Sequence, residues 1–292
     1  MAKTVSQILE AMQQVMGPLP KSPNTPPRIT EYLSAAVDIG SAVRIKFAYE
    51  PEPGDEVPAY LFRPHRPIGA AVLCLHQTMR MGKGHPAGLQ GSPPNLRYAL
   101  ELAERGFVTL APDYPNSGDY TFDPYAHGYV SATMKGILNH KRAVDLLVSL
   151  AEVNPKRIAA IGHSLGGHNA IFVAAFDPRI RAVVSSCGFT SLHKYYKGDL
   201  TGWSHKGYMP RVASVYDMSP DKMPFEFWDI LAAVAPRPIF VNAPLRDANF
   251  EPSGVDDCAA KVSNLIVRHP DCEHDFPTEV RLESYEFLAS RL

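Results

Sequence analysis

The 292-residue sequence predicts an α/β protein whose central sheet is mostly parallel, with helices on both faces. Three observations lead there. From residue 70 onward, short apolar runs alternate with helix-length segments, the order of strand–helix–strand crossovers. Runs such as Ala70–Leu75 and Ile158–Ile161 are apolar throughout, as strands covered on both faces are. The second of these runs straight into Gly162-His163-Ser164-Leu165-Gly166, followed at once by a helix-compatible stretch from His168 to Phe176.

The elements follow in order. Val5, Ile8, Leu9, Met12, Val15 and Met16 recur at helical spacing, so 4–16 is an amphipathic helix, ended by Gly17-Pro18. It reads as a strap over its own domain, with a homodimer contact or a mobile arm as the alternative. A proline-rich linker runs on to Pro27, so that 1–33 precede a single domain of 34–292. Ala35–Ile39, Val43–Tyr49 and Val57–Phe62 are strands joined by short turns and hence antiparallel neighbours at the N-terminal edge. Strands are then expected at Ala70–Leu75, Phe107–Ala111, Arg157–Ile161, Ala182–Ser186, Pro238–Asn242 and Leu265–Arg268, in a sheet of about eight. Helices are expected at Leu96–Arg105, Ser131–Glu152, 165–176, Met223–Val234, Val255–Lys261 and Glu279–Leu292. Four long irregular connections, 76–95, 112–130, 187–222 and 243–254, all follow the carboxyl end of a strand, the edge at which open parallel sheets bind ligands.

Composition narrows the function. Lys+Arg is 29 and Asp+Glu is 30, a formal net charge of -1, so nothing electrostatic points to nucleic acid or an anionic membrane as partner. No run approaches the ~20 apolar residues of a membrane span. No signal-like segment is visible at the N-terminus, and the expected location is cytoplasmic. The cysteines Cys74, Cys187, Cys258 and Cys272 form no C-x-x-C pair, and histidine spacing matches no zinc helix. Cys258 and Cys272 would pair only if the fold brought them together.

Strand, sharp turn, helix is the context in which Gly-x-Ser-x-Gly forms a nucleophile elbow, a strained turn that tolerates no side chain two residues either side of the serine. Serine is a weak nucleophile and needs a base oriented by a carboxylate. Asp247 and His274 lie just past the next-to-last and last strands, in the chain order Ser, Asp, His. His269 sits too early, at the strand end. Glu273 and Asp275 adjoin His274 and are poorly placed to orient it. Asp217, Asp221 and Asp229 belong to the long insertion or its helix, and Asp256 and Asp257 open a helix as caps. Two backbone donors should hold the oxyanion of the intermediate. One is the N–H of Leu165. The other is that of Gln77, with Thr78 as the fallback, in a loop that begins His76-Gln77-Thr78. His163 should point away from substrate, and His168 should be buried. Tyr195, Tyr196, Trp203, Tyr208 and Met209 in 187–222 follow no period and suggest the aromatic walls of a cap, with Tyr114 and Tyr120 beside it. The substrate-binding candidates are His76, Thr78, Tyr114, Tyr196 and Trp203.

With the elbow, the acid and the histidine in this order, residues 35–292 resemble the α/β-hydrolases. Leu75-His76-Gln77-Thr78, Arg105 to Tyr114, the elbow Gly162 to Gly167 and His274-Asp275-Phe276-Pro277 resemble the branch of dienelactone hydrolases and acetyl xylan esterases. The resemblance implies an α/β-hydrolase fold and hydrolysis of carboxylic esters through Ser164, Asp247 and His274. Three departures are visible. His76-Gln77 stands where the family has His-Gly. The nucleophile is serine where dienelactone hydrolases carry cysteine, so lactone opening is not implied. Leu165, where related acetyl xylan esterases often have Gln, leaves sugar-acetate specificity open.

The expected function is thus a serine carboxylester hydrolase for short-chain or small-molecule esters, working through an acyl-enzyme without metal or organic cofactor. The rivals are a serine peptidase or amidase of the prolyl-oligopeptidase type, and a catalytically inactive binding protein on the same fold.

Overall fold

The computed structural model describes residues 3–23 and 25–292. Helix α1 (Val5–Met16) starts on a capping box, with the Thr4 hydroxyl accepting from the Gln7 amide and the Gln7 side chain accepting from the Thr4 amide. Its apolar stripe, Ile8, Ala11, Met12, Val15 and Met16, is buried in the core of its own chain. Strands β1 (Ile29–Tyr32), β2 (Val37–Asp38), β3 (Ala42–Tyr49) and β4 (Val57–Pro64) make the antiparallel edge. Then follow β5 (Ala71–Leu75), α2 (Tyr98–Glu104), β6 (Val108–Pro112), α3 (Ala132–Ser149), β7 (Ile158–His163), α4 (Leu165–Phe176) and β8 (Ile180–Ser186). Short helices α5 (Thr201–Ser204) and α6 (Arg211–Ser214) interrupt the long insertion. The chain closes with α7 (Phe227–Val234), β9 (Ile239–Asn242), α8 (Pro252–Ala259), β10 (Leu265–Arg268) and α9 (Thr278–Arg291).

The sheet has ten strands rather than about eight, in the order β1-β3-β4-β6-β5-β7-β8-β9-β10, with β2 on β3. β4 joins β6 antiparallel, and every pair from β6 to β10 is parallel. The strand missed in the sequence, β1, has no apolar alternation: its residues are half-buried or exposed on the open edge.

Alternation along each buried strand feeds two cores. In β5, Ala71, Leu73 and Leu75 face the core shared with α1, α3, α4 and α7, while Val72 and Cys74 face the core under α2 and α9. In β7, Ile158 and Ala160 divide from Ala159 and Ile161 in the same way. Burial on both faces explains why these strands read as unbroken apolar runs. β5 pairs with β6 on one side and β7 on the other, so the chain reverses direction across the sheet at β5. The loops after β5 and β7 diverge there and leave a crevice at the strand ends.

All four cysteines are free thiols, so Cys258 and Cys272 are not joined. Among the described residues, no helix is long and apolar enough to cross a membrane.

Candidate active site

Ser164 occupies the turn between β7 and α4 with φ 54° and ψ -118°. A positive φ of this kind is costly for a residue with a Cβ. The surrounding glycines explain how the turn closes. A Cβ on Gly162 would lie 2.2 Å from the Gly166 carbonyl, and one on Gly167 2.8 Å from Gly188 Cα. The Ser164 amide donates to the Ser186 carbonyl at the end of β8, which ties the turn to the neighbouring strand.

His274 and Asp247 come together from loops 27 residues apart. His274 Nδ1 is 2.9 Å and 3.0 Å from the two Asp247 oxygens. The Asp247 side chain is fully buried and accepts further bonds from the amides of Asn249 (2.8 Å) and Phe250 (3.1 Å). Burial alone would raise its pKa. The hydrogen bond and charge of His274 and the two amides outweigh that and hold the carboxyl below its ordinary value. With Nδ1–H donating to Asp247, the other ring nitrogen is left as the acceptor. Ser164 and His274 line one cavity of about 570 Å³, together with Gln77, Thr78, His163 and Phe250.

The amides of Leu165 and Gln77 donate to no protein acceptor among the described residues, and neither does that of Thr78. The Gln77 side chain is held in place by its Nε2 donating to His85 Nδ1 at 2.5 Å.

Several of the sequence-based candidates take other positions. His76 is a correction. It is 3% exposed, its Nδ1 bonds the Gln77 carbonyl at 2.7 Å, and its Nε2 accepts from the Tyr114 amide at 2.9 Å. Both nitrogens are engaged, so it braces the loop after β5 against the loop after β6 and offers nothing to a ligand. Trp203 is a correction too: it is 3% exposed, packed on His168, Tyr195 and Phe227. With Tyr195 and Met209 it belongs to the main core, so core packing accounts for much of the insertion's aromatic content. Tyr196 is exposed, bonds Asn249 Oδ1 at 2.7 Å and lies outside the cavity wall; Tyr195 takes that place. Tyr114 is buried and lines an adjoining cavity instead. Tyr120 is buried on Asp55. His163 does not point away: its ring lies 4.9 Å from that of His274, in the cavity wall, while its Nδ1 bonds Ser186 Oγ at 2.9 Å. Burial first, and the neighbouring His274 second, push its pKa down to about 3. His168 is buried, bonded to the Gly188 carbonyl.

Other residues of the site escaped notice in the sequence. Asn242, at the end of β9, donates to the Asp275 carbonyl (2.8 Å) and to Ser186 Oγ (2.9 Å), anchoring the His274 loop. His85, His205 and Asn249 line the cavity. The signal for Asn249 was present, two residues from Asp247. The others depend on folds of long loops with no period.

Cys187 Sγ, Asp247 and His274 offer donor atoms within 4.8 Å of one another. The set does not fit a metal: burial pushes the Cys187 thiol well up, away from the thiolate a metal requires, and the acid and imidazole already satisfy each other.

Fold and site together define an α/β protein with a serine elbow at its topological reversal. A model of the alpha/beta hydrolase family matches residues 72–287, and the chain belongs to that family. It is thereby a hydrolase by class. Among relatives, it is 26% identical over 217 residues to YtaP of Bacillus subtilis (strain 168), covering 69% of each chain. Two further curated relatives are matched over only 32% and 30% of their own length. Among solved structures, a glucuronoyl esterase from Solibacter usitatus superimposes with a TM-score of 0.75 at 16% identity, over 99% of this chain and 92% of that one. Acetyl xylan esterase 1 from Thermoanaerobacterium sp. JW/SL YS485 gives 0.69 at 15% identity, over 98% and 92%. At such identities the likeness is one of fold.

Proposed function

We propose that the protein is a serine carboxylester hydrolase for short-chain or small-molecule esters. The observation that carries this reading is the meeting, in one cavity, of a serine at φ 54° with a histidine whose Nδ1 is held by a buried carboxylate. In this reading His274 takes the proton of Ser164 as its oxygen attacks the ester carbonyl. The amides of Leu165 and Gln77, both without a protein acceptor, receive the oxyanion. Asp247 fixes the imidazole tautomer and stabilises its charged form. His274 then protonates the departing alcohol, leaving an acyl-Ser164. Water, activated by the same histidine, releases the acid and restores the serine. The esterase names of the two structural neighbours agree with this choice of substrate bond.

The segment 187–222 is proposed as a cap on this site. Tyr208 closes on the loop after β5 through Thr78, and Tyr196 on the loop after β9 through Asn249.

The test is hydrolysis of p-nitrophenyl acetate, with fluorophosphonate labelling in parallel. Ser164→Ala should abolish labelling and lower kcat/KM by at least ~10³-fold. Retention of full turnover by that variant would end the proposal, and an unlabelled wild-type chain would favour a binding protein.

A further inference from the structure

A second cavity of about 490 Å³ adjoins the Ser164 chamber. The two share Thr78, His205 and Tyr208. What divides them is a side-chain contact, Thr78 Oγ1 to Tyr208 OH at 3.0 Å. The Tyr208 side of that contact is firmly hung. Tyr114 OH donates to the Gly207 carbonyl (3.0 Å), Tyr125 OH to that of Lys206 (2.5 Å), and the Thr133 amide to that of Tyr208 (3.3 Å).

The chemistry distinguishes the two spaces. An ester poised over Ser164 carries two substituents. The alcohol must face the group that returns its proton, and His274, with Asn249 and Phe250, lines only the first chamber. The acyl substituent lies on the other side of the carbonyl. Leu165 lines only the second cavity, where its side chain packs with Tyr114 and Tyr208. Its amide is the donor proposed for the oxyanion, so the second cavity begins where the acyl group would emerge.

The size and walls of that cavity indicate what fits. Pockets of roughly 300–1,000 Å³ hold whole small molecules, far more than an acetyl group. Tyr114, Tyr125 and Tyr208 supply flat rings, Pro115 and Pro124 add apolar surface beside them, and the three phenol hydroxyls are already bonded within the protein. Ring faces remain, which favour stacking with another flat ring. Asn116, Asp123 and Lys206 add polar groups to the lining, where substituents of such a ring would meet them.

Resting on the ester-hydrolase reading above, we infer that this cavity is the acyl-side pocket and that it takes a flat aromatic acyl group. Tyr208 is the partition that such a group must displace or pass.

The experiment compares p-nitrophenyl acetate with p-nitrophenyl benzoate and p-nitrophenyl cinnamate, in wild type and in plugged variants. Ser117→Trp places a ring in the second cavity, and Lys206→Trp, from an exposed position, is the second plug should the first fail to fold. Wild type should hydrolyse the aromatic acyl esters, and each folded plug should lower the aromatic-to-acetyl ratio of kcat/KM by about 10-fold or more. Tyr208→Ala should raise that ratio. A series of acetates with alcohols of increasing bulk should respond to neither plug, because Ser117 and Lys206 line only the second cavity. The inference is overturned if wild type rejects both aromatic acyl esters, if the plugs leave the ratio within twofold, or if they alter alcohol preference instead. In all of those outcomes acetate turnover that is lost in Ser164→Ala would leave the esterase reading intact. Acetate turnover surviving Ser164→Ala would instead remove the reading on which the inference rests.

Discussion

Gly166 is pressed so tightly on Leu75 that a Cβ built on it would lie 1.9 Å from the Leu75 carbonyl oxygen. The helix that begins at the candidate nucleophile therefore touches the end of the strand that leads to Gln77. The elbow and the loop proposed to hold the oxyanion are kept in register by a contact that only glycine permits. The neighbouring atom is backbone, which cannot swing away as a side chain would. Gly166→Ala should accordingly displace α4 from β5, costing several kcal/mol as overpacking against rigid backbone does, ~3 or more. Urea denaturation and fluorophosphonate labelling measure the two consequences. A variant with wild-type stability and labelling rate would show that the elbow does not depend on this approach.

Ser164 gives the opposite expectation. Its φ of 54° and ψ of -118° strain a residue with a Cβ, at a cost of about 1–3 kcal/mol. Glycine adopts such angles freely but loses about 0.5–1 kcal/mol through a more flexible unfolded chain. Ser164→Gly should thus be the more stable protein, by about 1 kcal/mol, while losing all Ser164-dependent turnover. A raised urea midpoint at unchanged m-value is the expected result; a lowered midpoint would mean that the strain is relieved by contacts the serine makes.

The contrast between these two residues and their surroundings shows what was legible in the sequence. The succession of strands and helices along the parallel part, and the meeting of Asp247 with His274, follow from backbone patterning: both residues sit just past the carboxyl ends of adjacent strands, β9 and β10. The elbow glycines are likewise a local steric requirement. Side-chain environments were less readable. His76 looked available because its partner, the Tyr114 amide, lies 38 residues away. Trp203 looked like a cavity wall because the rings that bury it come from Phe227 and His168, on other elements. Such contacts depend on the packing of irregular loops, which carry no period to reveal a face.

Buried histidines give the folded chain a pH dependence. His140, His163 and His168 all have pKa values lowered to about 3, in each case chiefly by burial. In the unfolded chain they titrate near 6.5. Between those values the unfolded state binds the extra protons, so stability is full above pH ~6.5 and falls as pH drops toward 3. Each histidine contributes a slope approaching ~1.4 kcal/mol per pH unit well below 6.5. The lowered carboxyls of Asp247 and Asp119 act in the same direction, but only below about pH 4. Urea midpoints at pH 7.5, 6 and 5 should therefore decline steadily. A flat profile down to pH 5 would show that these rings are protonated in the folded protein.

Beneath the same loops, Lys83 is buried with its Nζ 2.5 Å from Asp113 and 2.7 Å from Asp119. Asp113, also fully buried, accepts from the Lys83 and Asp119 amides as well, and so knits the loops after β5 and β6 together. Removing one partner of such a pair leaves an uncompensated charge. Lys83→Met should destabilise by about 3 kcal/mol or more, and Lys83→Met with Asp113→Leu by less than Lys83→Met alone. Equal losses in the single and double variants would mean that the amides, not the ion pair, hold Asp113.

Asn242 offers a test of positioning separate from the reacting groups. Its Nδ2 donates to the carbonyl of Asp275, the residue after His274, and to Ser186 Oγ, which also bonds His163. The imidazole is thus steered from two sides, by Asp247 through its ring and by Asn242 through its backbone. Misplacing a proton-transfer group by a fraction of an ångström is costly even when every reacting residue is present. Asn242→Ala should lower kcat on p-nitrophenyl acetate by about 10- to 100-fold with little change in KM, and slow fluorophosphonate labelling of Ser164 in parallel. A drop confined to KM, or a labelling rate within twofold of wild type, would assign Asn242 to loop stability alone and leave Asp247 as the sole orienting group.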